Sequence, residues 1–235
     1  ASFQASAVSY LYYADRIYQI NLAIAGIAIG VIILPNLSRY VKSKNKIKLE
    51  ILQNKSLELS LFLSLPATLA LVFASEEIVS ALFGYGSFNE ESVKNSALAL
   101  FYFALGLPAF SMIKIFSSFI FARNDTKTPF YFSLISVILN IVISVSLFSK
   151  LGFIIIPIAT TVSSWLNGLL LMIFVLNQKY FNFNNSFFTQ LIKISVVNII
   201  CLGLFKLLIN YFSNYFIFTN SYKFLAIILL VLLTF

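Results

Sequence analysis

The sequence predicts an all-α protein, a polytopic bundle of transmembrane helices, and three observations carry that expectation. Of 235 residues, 60% are hydrophobic and 10% charged, with a mean hydropathy of +0.94; a soluble domain carries roughly 25% charged residues. The apolar residues fall into several blocks long enough to span a bilayer, which takes about 20 residues at about 1.5 Å rise each. Those blocks are continuous, whereas a membrane β-barrel shows roughly 10-residue segments of alternating character. Inside lipid a helix satisfies its own amides, so helices are the expected backbone.

Six complete spans and one partial span can be placed. The first runs over about 8–34 and holds Asp15 and Arg16 near its start. The second covers about 57–83, with a kink expected at Pro66. The third, about 96–121, contains Pro108 and Lys114. The fourth and fifth cover about 130–148 and 153–176, the sixth about 187–211. A seventh begins near Tyr222 and stops within the apolar run 224–235. The chain opens at Ala1 without a basic signal region, and both ends read as truncations.

The connectors set the orientation. Arg39, Lys42, Lys44, Lys46, Lys48 and Lys55 follow the first span, offset by Glu50. Glu90 and Glu91 occupy the next connector, with Glu76 and Glu77 just before it. Arg123 and Lys127 flank the turn after the third span, and Lys150 and Lys179 mark the two that follow. An excess of Lys and Arg marks cytoplasmic loops, so the connectors alternate inside, outside, inside, outside, inside. The net charge of +8 therefore needs no nucleic-acid partner; the basic connector suits anionic membrane lipids. Residues 45–63 carry Ile47, Ile51 and Leu52 at helical spacing among Lys and Glu. They read either as an interfacial amphipathic helix leading into the second span or as a solvated linker.

With no histidine and one cysteine, Cys201, the usual Cys/His zinc site and an intrachain disulfide are excluded. A membrane glycosyltransferase or ligase would need acidic metal-binding or His-containing motifs, and eight carboxylates in all argue against it. A passive scaffold would not explain ionisable residues inside spans, which cost at least ~2.5–3.5 kcal/mol each at the bilayer centre.

Those residues are the candidates for function. Arg16 shares a helical face with Tyr12 and Gln19, with Asp15 to one side. Its fork of donors suits phosphate oxygens, so it reads either as an anchor for a pyrophosphate headgroup or as an interfacial arginine paired with Asp15. Lys114 lies deep in the third span and reads as lining a cavity or as snorkelling toward the cytoplasmic end. Lys193 and Lys206, nearer helix ends, read as snorkelling. Gly26, Ala28 and Gly30 permit close helix packing. Asn140, Ser144, Thr160, Thr161, Ser163, Ser164 and Asn167 make one face of the fourth and fifth spans polar, for interhelical hydrogen bonds or a hydrated pathway.

The segment 9–19 (Ser-Tyr-Leu-Tyr-Tyr-Ala-Asp-Arg-Ile-Tyr-Gln), with 25–30 and Ile33-Leu-Pro-Asn-Leu-Ser-Arg39, resembles the MurJ/MviN family of lipid II flippases in the multidrug/oligosaccharidyl-lipid/polysaccharide exporter superfamily. Residues 82–88 (Leu-Phe-Gly-Tyr-Gly-Ser-Phe), Lys114 and 121–129 (Phe-Ala-Arg-Asn-Asp-Thr-Lys-Thr-Pro) continue the same register. The resemblance implies a multi-pass protein of the bacterial cytoplasmic (inner) membrane, built as two six-helix lobes and a terminal helix pair. This chain would hold the second lobe in residues 1–178 and the terminal pair, its last helix incomplete, in 179–235. The partners implied are lipid II, membrane lipids and the amino-terminal lobe of the same protein; no cofactor is implied. The activity implied is flipping of lipid II by alternating access, with a related exporter of polysaccharide-linked lipids or drugs as the alternative. Carried over by motif, Asp15 and Arg16 match the family's Ala-Asp-Arg and Lys114 a basic residue of the corresponding helix. Gln19 stands where some members have glutamate. Asn140 and Thr160 correspond to a cation site of some members, with Ser144 at its carboxylate position.

Overall fold

A computed structural model describes residues 6–86 and 88–212 of the chain. Among them every regular element is helical. The first span is an unbroken helical stretch made of α1 (Ala7–Leu22), a π-helical turn (Ala23–Ala28) and α2 (Ile29–Lys42). Arg39 and Lys42 occupy its last turn, where cations meet the negative end of the helix dipole.

Helix α3 (Lys46–Phe73) starts at Asn45, whose side chain accepts from the Lys48 amide at 3.1 Å, an N-cap that satisfies one free donor. Residues 45–63 are thus the cap and opening turns of α3, continuous with the expected second span. Pro66 does not break it. A proline removes one amide from the ladder and is tolerated in membrane helices; two residues on, the Thr68 hydroxyl donates to the Ser64 carbonyl at 2.7 Å. The break falls instead at Ala74, ahead of α4 (Ser75–Phe83). The third span is also divided, into α5 (Glu90–Ala104) and α6 (Leu107–Phe121). Pro108 sits in the first turn of α6, where its missing amide would have had no partner.

Helix α7 (Lys127–Leu151) is followed by a 3-10 turn (Gly152–Ile154) and α8 (Ile155–Asn177). Gly152 makes that reversal at φ 62 and ψ −146, a region open essentially to glycine alone. Lys127–Asn177 is one apolar stretch of 51 residues, about 76 Å of helix, hence two bilayer passes. Lys46–Phe73, Glu90–Phe121 and Asn185–Phe205 are also long and apolar enough to cross. The helical stretch Ala7–Lys42 falls where the first span is expected, and the last described helix is α9 (Asn185–Phe212). The expected seventh span lies outside the described residues.

Two apolar clusters stack along the bundle. The outer one joins Ala14, Ile17 and Tyr18 of α1 to Leu100 and Phe103 of α5 and to Phe153. Tyr13 meets Phe83 and Phe88 there, at 4.7 and 5.0 Å between ring centroids. The inner one joins Leu37, Leu57, Phe116, Phe119 and Phe181. Connectors expected on one side of the membrane thus meet at one end of the bundle. The α5–α6 span is the most buried, and α7 to α9 are the least, as fits a bundle whose outer helices present apolar side chains to lipid.

Candidate functional site: cations on the first and third spans

Burial of one side of α1 fixes what the other side shows. Ala14 is fully buried, and Tyr18 is wedged between Phe103 and Phe110 at 5.5 and 5.7 Å. The helix rotation they impose leaves Tyr12, Arg16 and Gln19 exposed, one face as their spacing requires. The Arg16 guanidinium lies over the Tyr12 ring, 4.8 Å from its centroid, a cation–π contact that holds the side chain without using its donors. Half-buried Asp15 accepts a hydrogen bond from the Gln19 side-chain amide. The carboxylate beside Arg16 is thereby engaged by Gln19, and among the described residues no ion pair or hydrogen bond takes up the Arg16 guanidinium.

Lys114 is exposed on α6 between the buried faces of Ser111 and Ile115. Its stem runs beside the π turn: a Cβ added to Gly26 would lie 3.5 Å from Lys114 Cγ. One turn on, a Cβ on Gly30 would lie 3.3 Å from Ser118 Oγ, closer than packing normally allows. The Ser118 hydroxyl donates to the carbonyls of Gly30 (3.2 Å) and Lys114 (2.8 Å). The small residues thus serve close packing of the first span against α6. Gly26 stands ten residues from Arg16, about 15 Å along a helix, so the two cations occupy different depths.

On α7 and α8 the polar face is engaged internally. The Asn140 amide donates to Thr160 Oγ1 at 3.1 Å and to Ser163 Oγ at 3.3 Å, while Thr160 donates to the Ile156 carbonyl at 2.8 Å. Ser144 donates to Asn140 Oδ1 at 3.5 Å, and Thr161 donates to the Tyr102 carbonyl at 2.6 Å. This favours the interhelical hydrogen-bonding reading of these residues. Among the described residues no group of three or more Cys, Asp and Glu is placed to hold a metal ion.

A third basic group was read in the sequence only as a marker of the cytoplasmic turn. Arg123 donates to the carbonyls of Phe119 (2.6 Å) and Tyr180 (2.9 Å), and its guanidinium lies 4.2 Å from the centroid of the Tyr180 ring. Gln53 donates to the same Tyr180 carbonyl at 3.0 Å. Asn54 donates to the Asn182 carbonyl at 3.0 Å and accepts from the Asn184 amide at 3.1 Å. Phe181 stacks on Phe119 at 5.5 Å. The connector from α8 to α9 is in this way strapped to α3 and α6. Burial lowers the Arg123 pKa from its ordinary value, though arginine stays charged at neutral pH. Sequence spacing offers no signal for this, because the partners lie 57 to 130 residues apart.

The sequence matches the family described as "Lipid II flippase MurJ" over residues 1–227. Among curated relatives, a probable lipid II flippase MurJ of Rhizobium meliloti (strain 1021) is 46% identical over 171 residues, 73% of this chain and 32% of the relative. One of Rickettsia prowazekii (strain Madrid E) is 39% identical over 171 residues, 72% of this chain and 34% of the relative. A solved structure described as "Lipid II flippase MurJ, inward closed conformation" superposes with a TM-score of 0.80 at 25% identity, over 99% of this chain and 46% of that one. The chain thus spans about a third of the length of the curated relatives it matches.

Proposed function

The chain belongs to the lipid II flippase MurJ family, and from that membership we propose that it supplies the second lobe of a transporter that flips lipid II by alternating access. The protein is a multi-pass protein of the bacterial inner membrane. In this reading residues 1–178 are lobe helices and 179–235 the terminal pair. The first lobe of the same protein faces the exposed side of α1 and closes the cavity.

One observation carries the proposal: Arg16 is exposed on α1, held by the Tyr12 ring, with no donor taken up by the described residues. A guanidinium so placed can give two parallel hydrogen bonds to pyrophosphate oxygens. Gln19 engages the Asp15 carboxylate, which lowers its competition with an anion for the Arg16 donors. Lys114, about 15 Å farther along the first span, offers a second cation toward the cytoplasmic side. The lipid headgroup meets Lys114 nearer the leaflet it leaves and Arg16 nearer the leaflet it enters. The work is binding and rearrangement, with no bond of the substrate made or broken. The related-exporter alternative draws no support from the relatives described above.

The test is complementation by the full-length protein in cells depleted of their lipid II flippase. The wild type should rescue growth, and Arg16→Ala at matched expression should not. Full rescue by Arg16→Ala would remove the headgroup role; failure of the wild type would favour the related exporter.

A further inference from the structure

A groove of about 640 Å³ runs between α3 and α9, away from Arg16 and Lys114. Its lining is graded along its length. Both helices start at the cytoplasmic end, where the strap of Arg123, Gln53 and Asn54 ties them together. Lys55 and Lys193 leave them at matching depths, nine residues after Lys46 and eight after Asn185, about 12–14 Å from each start. Glu58 and Gln190 complete this polar end. Deeper in, the walls become Phe62, Leu63, Pro66, Val197 and Cys201. The one polar residue among them, Asn198, turns its amide back to the Ile194 carbonyl at 2.8 Å.

This order, two ammonium groups and one carboxylate at the cytoplasmic end and then a trough apolar but for Asn198, is the polarity of a phospholipid of the inner leaflet. Lysine stems reach from such depths toward headgroup level. Both lysines are exposed, and neither is in an ion pair among the described residues. A zwitterionic headgroup would leave the surplus positive charge unmatched, whereas an anionic one matches it. We propose that the α3–α9 groove is a binding site for one anionic phospholipid of the cytoplasmic leaflet, its phosphate between Lys55 and Lys193 and an acyl chain over Phe62 and Val197. The site requires only that the chain spans a membrane, so it stands apart from the flipping reaction.

Native mass spectrometry of the full-length protein, loaded with phosphatidylglycerol or with phosphatidylcholine of the same acyl chains, tests it. The wild type should retain one phosphatidylglycerol in preference. Lys55→Gln/Lys193→Gln should lose that preference, by roughly fivefold per lysine, yet still carry phosphatidylcholine. Val197→Trp, which fills the trough, should lose that lipid of either kind. Equal retention of the two lipids by the wild type would overturn the proposal, as would a preference unchanged in the double variant. Retention unaffected by Val197→Trp would show the trough covered by protein, and would overturn it too.

Discussion

Arg16, on α1, and Arg123, in the turn after α6, belong to one bundle and share one chemistry, yet their surroundings differ in nearly every respect. Arg123 gives hydrogen bonds to two backbone carbonyls and packs on Tyr180. Arg16 touches one ring and keeps its donors open. The first arginine closes a structure; the second leaves one incomplete. Its neighbourhood shows the same division, since the side of α1 that meets α5 is buried while the Tyr12–Arg16–Gln19 side meets nothing described. The lesson is that a charge in a membrane protein is informative through its unmet hydrogen-bonding capacity, and only secondarily through its position.

Substitutions can break that contrast or sharpen it. The largest effect is expected at Arg16. Two charge-assisted hydrogen bonds, at about 1.5–3 kcal/mol each, correspond to a hundredfold or greater loss of the proposed flipping activity for Arg16→Ala, with no change in thermal unfolding of the detergent-solubilised full-length protein. Arg123→Ala should do the reverse, lowering stability by about 2–3 kcal/mol and activity only in step with the folded fraction. If the two variants behaved alike, the contrast would fail. Asn140→Ala tests whether the α7–α8 polar face belongs with Arg123. It should cost about 0.6–2 kcal/mol and leave activity at permissive temperature unchanged, and a selective loss of transport would place Asn140 with Arg16 instead.

The smallest effect concerns Asp125, which caps the start of α7. Its carboxylate accepts from the Thr128 hydroxyl at 2.6 Å and from the Thr128 and Lys127 amides at 3.1 and 3.0 Å. These bonds hold its pKa below the ordinary carboxylate value. A lowered pKa means the bonds stabilise the fold fully above the ordinary value, near 3.9, and progressively less as pH falls through the lowered one. Asp125→Asn should therefore narrow its stability deficit against wild type below about pH 4, as read by unfolding at pH 3 and pH 7. A deficit independent of pH would contradict the cap.

Much of this was readable in the sequence because hydropathy and connector charge are local signals. The helical blocks, the meeting of basic connectors at one end and the exposed Tyr12–Arg16–Gln19 face follow from composition, loop lysines and helical spacing. What stayed hidden depends on partners distant in the chain. Pro66 does not end its helix, while Ala74 carries no signal for the break it makes. The strap at Tyr180 joins segments whose residues, read singly, look like ordinary loop polars. Asn140 and Thr160 were read as both packing and site candidates, and only their mutual hydrogen bond favours one. The π turn has no composition of its own beyond small residues.

That turn also sets an angular phase. A single turn of wider girth at Ala23–Ala28 lets the segment carrying Arg16 and the segment ending in Arg39 keep a rotational setting that ordinary winding of the same length would not give. Deleting one residue there would restore ordinary winding with the phase nearly kept, but forcing all six residues into ordinary winding would swing one half about 100° against the other. Ala14 and Tyr18 would then be driven out of the core, or the α2 face carrying Leu37 would be. Among changes of one residue in this span, a loss of length inside the turn would consequently be better tolerated than the same loss within α1 or α2.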